Sequence, residues 1–269
     1  MSAVSVDRLR PGDHACLTFS DPDERLDLLA GFIGAGLARG ERVVCYSEAI
    51  GARDLRRHGL DGAEAVVHRE RLWDPQAGPD AKAMVAGLAD ELGRAGDAGL
   101  RITADMCWAM RPRAGAEQLL AFENEVGVLF ATGRLTAICE YDRESFDPVT
   151  LGYAARVHPR TVAATVYHED ARLRICRQHV PPGVRVSGEL DAAAGAEALA
   201  DALAEAVRLD PDVHVNLNRV TDLAPGAAAC LIQVANALPL GRHMVVTCPA
   251  PIGRLLAGVP SLKVLSREL

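Results

Sequence analysis

The sequence predicts an α/β protein, with a doubly wound parallel sheet in its first part and a smaller α/β domain after it. Three observations carry that reading. Short apolar runs alternate with segments of helical period from His14 to Tyr167. The rhythm then changes, and Pro181-Pro182-Gly183 marks a turn between two strand-like runs. Hydrophobic residues are 49% of the 269, against 24% charged, which is enough to bury two cores. The two domains are placed at residues 1–170 and 171–269.

His14 to Phe19 opens the pattern as a strand. Asp21 and Glu24 have capping-box spacing, and Pro22 suits a first helical position. Leu26, Leu29, Ala30, Ile33 and Leu37 then share one helical face, and Gly40 stops the helix. Arg42 to Ser47 reads as a buried strand, so the unit is βαβ and the strands are parallel. Ala65 to His68 is a short strand, Asp80 to Ala95 a helix and Leu100 to Met106 a strand. Ala114 to Ala131 is a helix, Leu135 to Tyr141 a strand, Pro148 to Arg156 a helix and Thr161 to Tyr167 a last strand.

In the second domain, Leu173 to Arg177 and Val184 to Ser187 form a hairpin. A helix from Ala192 to Val207 follows, with Asp191 as its N-cap. Leu199, Leu203 and Val207 face inward, while Glu197, Asp201 and Glu205 form a solvated stripe. Val213 to Leu217 is a strand, Gly226 to Leu238 a helix, His243 to Thr247 a strand and Ile252 to Ala257 a helix.

Several function classes are disfavoured. The net charge is −7, which lacks the footprint of a nucleic-acid binder. No apolar run reaches the roughly 18 residues of a membrane span. The first residues carry Asp7, Arg8 and Arg10 and no apolar core of a signal peptide, so a cytoplasmic protein is expected. The 7 cysteines are odd in number and form no CxxC pair, so free thiols are expected.

Three stretches of the first domain resemble the MEDS family of sensory domains. They are Gly12-Asp13-His14-Ala15-Cys16 with Asp23-Glu24 and Leu37 to Glu41, then Leu100 to Ile102 with Asp105 to Trp108, then Cys139 to Asp142 with Phe146 and His158-Pro159. The resemblance implies a RecA/KaiC-like sheet. The segment from about residue 172 resembles a STAS domain of the anti-sigma-factor-antagonist type, through Ser187-Gly188-Glu189-Leu190-Asp191 and Val215 to Thr221. In that family an Asp-Ser-Ser-Gly turn follows, and its first Ser accepts a phosphate. Here the turn reads Ala224-Pro225-Gly226-Ala227, and Pro225 has no oxygen to accept one.

A phosphate-binding loop is also missing. Thr18 to Asp27 contains neither Gly nor Lys, and the whole chain has no Gly-Lys dipeptide. Asp21, Asp23 and Glu24 would repel phosphate at that helix start. The candidate ligand-binding residues, all within the stretches that carry the MEDS resemblance, are His14, Cys16, Glu24, Asp105, Trp108, Glu140, Tyr141 and His158, expected to gather in one pocket. Thr221, Ala224, Pro225, Gly226 and Ala227 are the candidate partner-binding surface, and Thr221 and Ser187 are the remaining hydroxyls near it. No catalytic residue, metal or cofactor is assigned.

The resulting expectation is a non-catalytic signalling regulator. Its first domain would sense a small-molecule ligand. Its STAS-like domain would bind an anti-sigma factor or a GHKL-type switch kinase and so control sigma-factor activity. No nucleic acid or membrane is expected as a partner, and a second copy of the chain is a further candidate. The alternative is a metal- or cofactor-binding protein or enzyme centred on His14, Cys16 and Cys139, with buried packing as the plainer account of those cysteines.

Overall fold

Each apolar run of the first half becomes a strand of one parallel sheet. In the computed structural model, which describes residues 3–73, 76–111, 115–190 and 193–267, the chain forms two compact units, Met1–Ala163 and Ala164–Leu269. The first unit holds strands β1 (Ala3–Val4), β2 (His14–Phe19), β3 (Arg42–Tyr46), β4 (Val67–Arg69), β5 (Leu100–Asp105), β6 (Leu135–Asp142) and β7 (Arg160–Val162). Their order is β1-β7-β2-β6-β5-β3-β4, and every neighbouring pair is parallel. From β2 the chain crosses to β3 on one side, and from β6 it returns to β7 on the other. That makes β2 a topological switch point.

Helices α1 (Pro22–Ala38) and α2 (Ala52–His58) pack on one face of this sheet. Helices α3 (Ala81–Ala95), α4 (Gly115–Phe130) and α5 (Pro148–Val157) cover the other, closing a core with Cys16, Cys139 and Tyr141. Helix α1 starts as expected: Asp21 accepts from the amides of Asp23 and Glu24, and Pro22 sits in the first turn. Its buried face differs from the expected stripe. Leu26 and Leu37 are only half-buried, while Arg25, Asp27, Leu28 and Phe32 are buried with Leu29, Ala30 and Ile33. The helix packs against the sheet, α2 and the 3-10 turn Val6–Arg8 together, so one stripe cannot describe it.

Other departures have local causes. Helix α2 was not predicted, being only seven residues long and rich in charge. The expected strand Thr161–Tyr167 is two strands. Arg160–Val162 pairs with β2 as β7, whereas β8 (Val166–Glu169) pairs antiparallel with β9 (Leu173–Gln178). The boundary therefore falls after Ala163, upstream of the 170/171 division.

The second unit continues with β10 (Gly183–Leu190), β11 (Val213–Leu223), β12 (Met244–Pro249) and β13 (Leu262–Arg267), in sheet order β13-β12-β11-β10-β9-β8. Strands β8 to β10 are antiparallel and β10 to β13 parallel. Helices α6 (Ala193–Leu209), α7 (Pro225–Ala237) and α8 (Ala250–Leu256) share its core, which contains Leu199, Leu203, Leu231 and Leu256. Strand β11 runs past the expected end at Leu217, because Asn218 and Arg219 are turned outward while Val220 and Leu223 return to the core. Ala114, Asp191 and Ala192, expected at helix starts, lie outside the described residues.

One buried charge fixes how α1 sits. Arg101 of β5 is fully buried; its Nε donates to Glu41 Oε2 at 2.5 Å and its guanidinium lies 4.4 Å from the Phe32 ring centroid. Gly36 makes room for it: a Cβ there would meet Arg101 Cδ at 2.5 Å. Gly36→Ala should therefore destabilise the first unit by about 1–3 kcal/mol, despite alanine's better helix propensity. Gly87→Ala on α3, where nothing lies within 4 Å of an added Cβ, should stabilise it by about 0.4–1 kcal/mol. The two tryptophans, Trp73 and Trp108, both belong to this unit, so their emission during urea denaturation reads these shifts directly. Equal effects from the two substitutions would contradict the packing described.

Candidate functional site

The expected single pocket is two polar centres on opposite faces of the sheet. Successive residues of a strand point to opposite sides. In register, Cys139 of β6 lies beside Cys16 of β2 and Ala104 of β5, whereas Glu140 lies beside Asp105 of β5. Cys139 and Tyr141 thus face α4 and α5, with His14, Cys16 and His158. Glu140 faces α1, together with Asp105. Glu24, half-buried on the first turn of α1, lies on that face rather than beside His14.

On the α4 and α5 face, His14, Glu123, Cys139 and His158 converge, all four buried. His14 Nε2 is 3.4 Å from Cys139 Sγ and 3.6 Å from Glu123 Oε2. His158 Nε2 is 3.6 Å from the same Glu123 oxygen. The His14 ring stacks on Phe130 with centroids 4.1 Å apart and lies 4.1 Å from the His158 ring. Outer groups orient this cluster. Tyr141 donates its hydroxyl to Glu123 Oε1 at 2.7 Å, and His158 Nδ1 lies 2.7 Å from the Ala154 carbonyl oxygen. A carbonyl only accepts, so Nδ1 carries the proton and Nε2 presents a lone pair. Among the described residues, Glu123 Oε2 and His158 Nε2 have no hydrogen-bond partner.

Burial dominates the ionisation of this cluster. It pushes the Glu123 carboxyl up to about 7, against the Tyr141 hydroxyl that draws it down. Burial lowers His158 to about 4, and burial with the nearby His158 holds His14 well below its ordinary value. The Cys139 thiol is raised well above its usual range, by burial first and then by Glu123. Cys16 belongs to the same core, but its thiol approaches the Arg160 carbonyl at 3.7 Å and the Thr161 hydroxyl at 3.6 Å. Glu123 was not singled out from the sequence. On an amphipathic helix it reads as a surface acid, although it falls at helical spacing from the core residues Leu119, Phe122 and Val126.

On the α1 face, Arg25 binds two carboxylates. Its Nε donates to Glu140 Oε2 at 2.6 Å and its Nη2 to Asp105 Oδ2 at 2.8 Å. The guanidinium also lies 4.5 Å from the Phe19 ring centroid. Burial raises Glu140 to about 7, with Arg25 pulling the other way. Burial lowers Arg25, but Glu140 and Asp105 outweigh it and lift the guanidinium above its usual range. Cys45 lies on this face, near Glu140 and Thr103, so the strand cysteines do not form one group.

Asp105 also borders a cavity of about 240 Å³ at the carboxyl ends of β3, β4 and β5. Tyr46, Leu72, Trp73 and Trp108 supply apolar walls, and Glu48, Glu70, Asp105 and Arg111 its charged groups. Trp73 and Trp108 lie 6.3 Å apart at a tilt, and Arg111 sits 5.3 Å from the Trp73 ring centroid while donating to Glu48 at 2.7 Å. The buried Trp108 indole Nε1 has no partner among the described residues. Asp105 and Trp108 were expected here, but Tyr46, Glu48, Trp73 and Arg111 were not; Tyr46 ends β3, and the others lie in the segments that follow strand ends.

In the second unit, Thr221, Pro225 and Gly226 are exposed around the start of α7, and Ala224 is half-buried. The Thr221 hydroxyl donates to the Gly188 carbonyl at 3.3 Å, and the Ala224 amide donates to Leu190 at 2.9 Å. Ala227 is 1% exposed and belongs to the core, so it leaves the candidate surface: the first turn of α7 points it inward.

Residues 13–159 match the family described as "MEDS: MEthanogen/methylotroph, DcmR Sensory domain". No curated protein matches the chain. Among solved structures, the flagellar accessory protein FlaH from Methanocaldococcus jannaschii is 10% identical, with a TM-score of 0.45 over 65% of this chain and 81% of that one. A KaiC-like protein from Pyrococcus horikoshii OT3 is 15% identical, with a TM-score of 0.45 over 63% of this chain and 80% of that one.

The Arg25 triad yields a direct prediction. Arg25→Met strands Glu140 in a buried site and should cost about 3–5 kcal/mol at neutral pH. Glu140, already raised by burial to about 7 beside Arg25, is raised further without it, so its proton is held in the folded state to higher pH than in the unfolded one. Stability falls as pH rises from the unfolded carboxyl value toward the folded one. Native chain and variant lose stability alike up to about pH 7, where Glu140 ionises beside Arg25, so the deficit of Arg25→Met should grow as pH rises above about 7. Adding Glu140→Gln should recover part of it. Denaturation curves read by Trp emission test both, and a deficit independent of pH would contradict the pairing.

Proposed function

The chain belongs to the MEDS family over residues 13–159, and on that premise we propose that it is a signalling regulator whose first unit binds a small ligand and whose second unit engages a protein partner. The observation that carries the sensory part is the cavity beside Asp105 and Trp108. It lies at carboxyl strand ends, where open α/β sheets bind ligands. Aromatic walls, one orphaned indole donor and a Glu48–Arg111 pair suit a compact, largely apolar molecule with an acceptor group. A volume of about 240 Å³ holds only a small one.

The first unit is read as RecA/KaiC-like without its phosphate chemistry. The turn after β2, where phosphate would bind, has an aspartate cap and the Arg25 triad in place of glycines and a lysine. No catalytic role is therefore assigned. The second unit is read as STAS-like, supported by its mixed sheet and by the Ser187 to Leu190 and Val215 to Thr221 motifs. Its partner would be an anti-sigma factor or a GHKL-type kinase, docking on Thr221, Pro225 and Gly226. With Pro225 at the acceptor position, control comes from ligand binding in the first unit or from competing partners, through differential affinity for two states. The proposed location is the cytoplasm; among the described residues no helix is long and apolar enough to cross a membrane.

Two measurements test this reading. A panel of small aromatic and aliphatic fragments, screened by ligand-observed NMR on the full chain, should give binders. Ala49→Trp, which fills the cavity from its rim, should weaken them by about 10-fold or more. Binding unchanged by that substitution would reject the cavity. For the partner surface, Gly226→Arg should weaken capture of a purified candidate kinase or anti-sigma factor by about 10-fold or more while circular dichroism stays unchanged. Equal capture by both forms would reject the Thr221 to Gly226 surface.

A further inference from the structure

We propose that His14, Glu123, Cys139 and His158 form a buried binding site for one divalent transition-metal ion of the zinc class. The geometry comes first. Their ligand atoms all lie within 4.8 Å of one another. A tetrahedral zinc with bonds of about 2.0–2.3 Å needs its ligands about 3.3–3.8 Å apart. Three measured separations already match: 3.4 Å for His14 to Cys139, and 3.6 Å for each histidine to Glu123 Oε2. Side-chain rotations of about an ångström close the remaining pairs.

The donor chemistry agrees. Two imidazoles, one carboxylate and one thiolate are the donors that zinc takes. The thiolate and carboxylate bring two negative charges and the neutral imidazoles none. A divalent ion then leaves the buried cluster electrically neutral, which removes the cost of an isolated charge. Binding releases the Cys139 thiol proton, and the Glu123 proton where one is held, to solvent.

The surroundings agree as well. Ligating histidines characteristically donate their other ring nitrogen to a carbonyl, as His158 does to Ala154. Ligating carboxylates are themselves hydrogen-bonded, as Glu123 is by Tyr141. Two atoms of this cluster, Glu123 Oε2 and His158 Nε2, lack a hydrogen-bond partner among the described residues, and such an ion would satisfy both. Three segments far apart in sequence meet here: the start of β2, the middle of α4, and β6 with the end of α5. A metal would tie them together, so occupancy would stiffen the face opposite α1.

The test uses the full chain, stripped with a chelator and titrated with Co²⁺ as a spectroscopic stand-in for zinc. The expected result is one ion per chain, with a thiolate-to-cobalt absorption in the near ultraviolet and strong visible bands of tetrahedral cobalt. Cys139→Ser should abolish the thiolate band and weaken binding by more than about 100-fold, while Cys16→Ser should leave both intact. Tyr141→Phe, which keeps all four ligands, should weaken binding by about 10–100-fold and retain the band. Circular dichroism of each stripped variant separates loss of the site from loss of fold. No uptake by the native chain, or uptake that Cys139→Ser leaves unchanged, would overturn the proposal.

Discussion

Strand β6 is covered by helices on both faces, and its two-residue period decides what the first unit can do. Cys139 and Tyr141 go to one side and Glu140 to the other. Every polar group on so buried a strand needs a partner from the helices that cover it. Arg25 of α1 supplies one for Glu140, and Glu123 of α4 supplies one for Tyr141. Much of the polar architecture follows from that demand. A shift of one residue in β6 would put Glu140 among the aromatic side chains and Tyr141 against Arg25.

The same demand explains why the start of α1 no longer suits phosphate. A helix N-terminus offers free amides and positive potential. Here Asp21 takes two of those amides, and Arg25, one turn later, is committed to Glu140 and Asp105. A polyanion would have to displace an internal carboxylate to reach that guanidinium. The aromatic cavity lies further along the same sheet edge, beyond β5 and β3, and shares Asp105 with the triad. Asp105 is thus the one acid that both fixes the internal pairing and lines the cavity.

The sheet's strands were legible because parallel buried strands read as continuous apolar runs. His14–Phe19 and Leu135–Tyr141 are largely apolar, and the helix after the first carried a clear cap at Asp21. What was not legible depended on pairing. β1 has two residues, and Thr161 to Tyr167 read as one strand because nothing local marks a change of sheet. The candidate site residues were expected in one pocket, but the fold separates them. His14, Tyr141 and His158 do meet, while Glu140 and Asp105 lie across the sheet from them. Adjacent sequence letters suggested one pocket where alternation requires two. Glu123 was invisible for a different reason: a glutamate on an amphipathic helix is ordinary until its neighbours prove to be buried.

The two polar centres differ in what remains to be satisfied. On the α1 face one guanidinium meets two carboxylates with good geometry, so the cation is already in place and built from the chain itself. On the other face, a carboxylate oxygen and an imidazole lone pair confront each other at 3.6 Å, both acceptors, with a second imidazole and a thiol alongside. Two lone pairs at that distance repel unless a proton or a cation lies between them. A proton answers for one contact only. A four-coordinate ion answers for all four donors at once, and it uses the Tyr141 and Ala154 hydrogen bonds that already hold Glu123 and His158 in place.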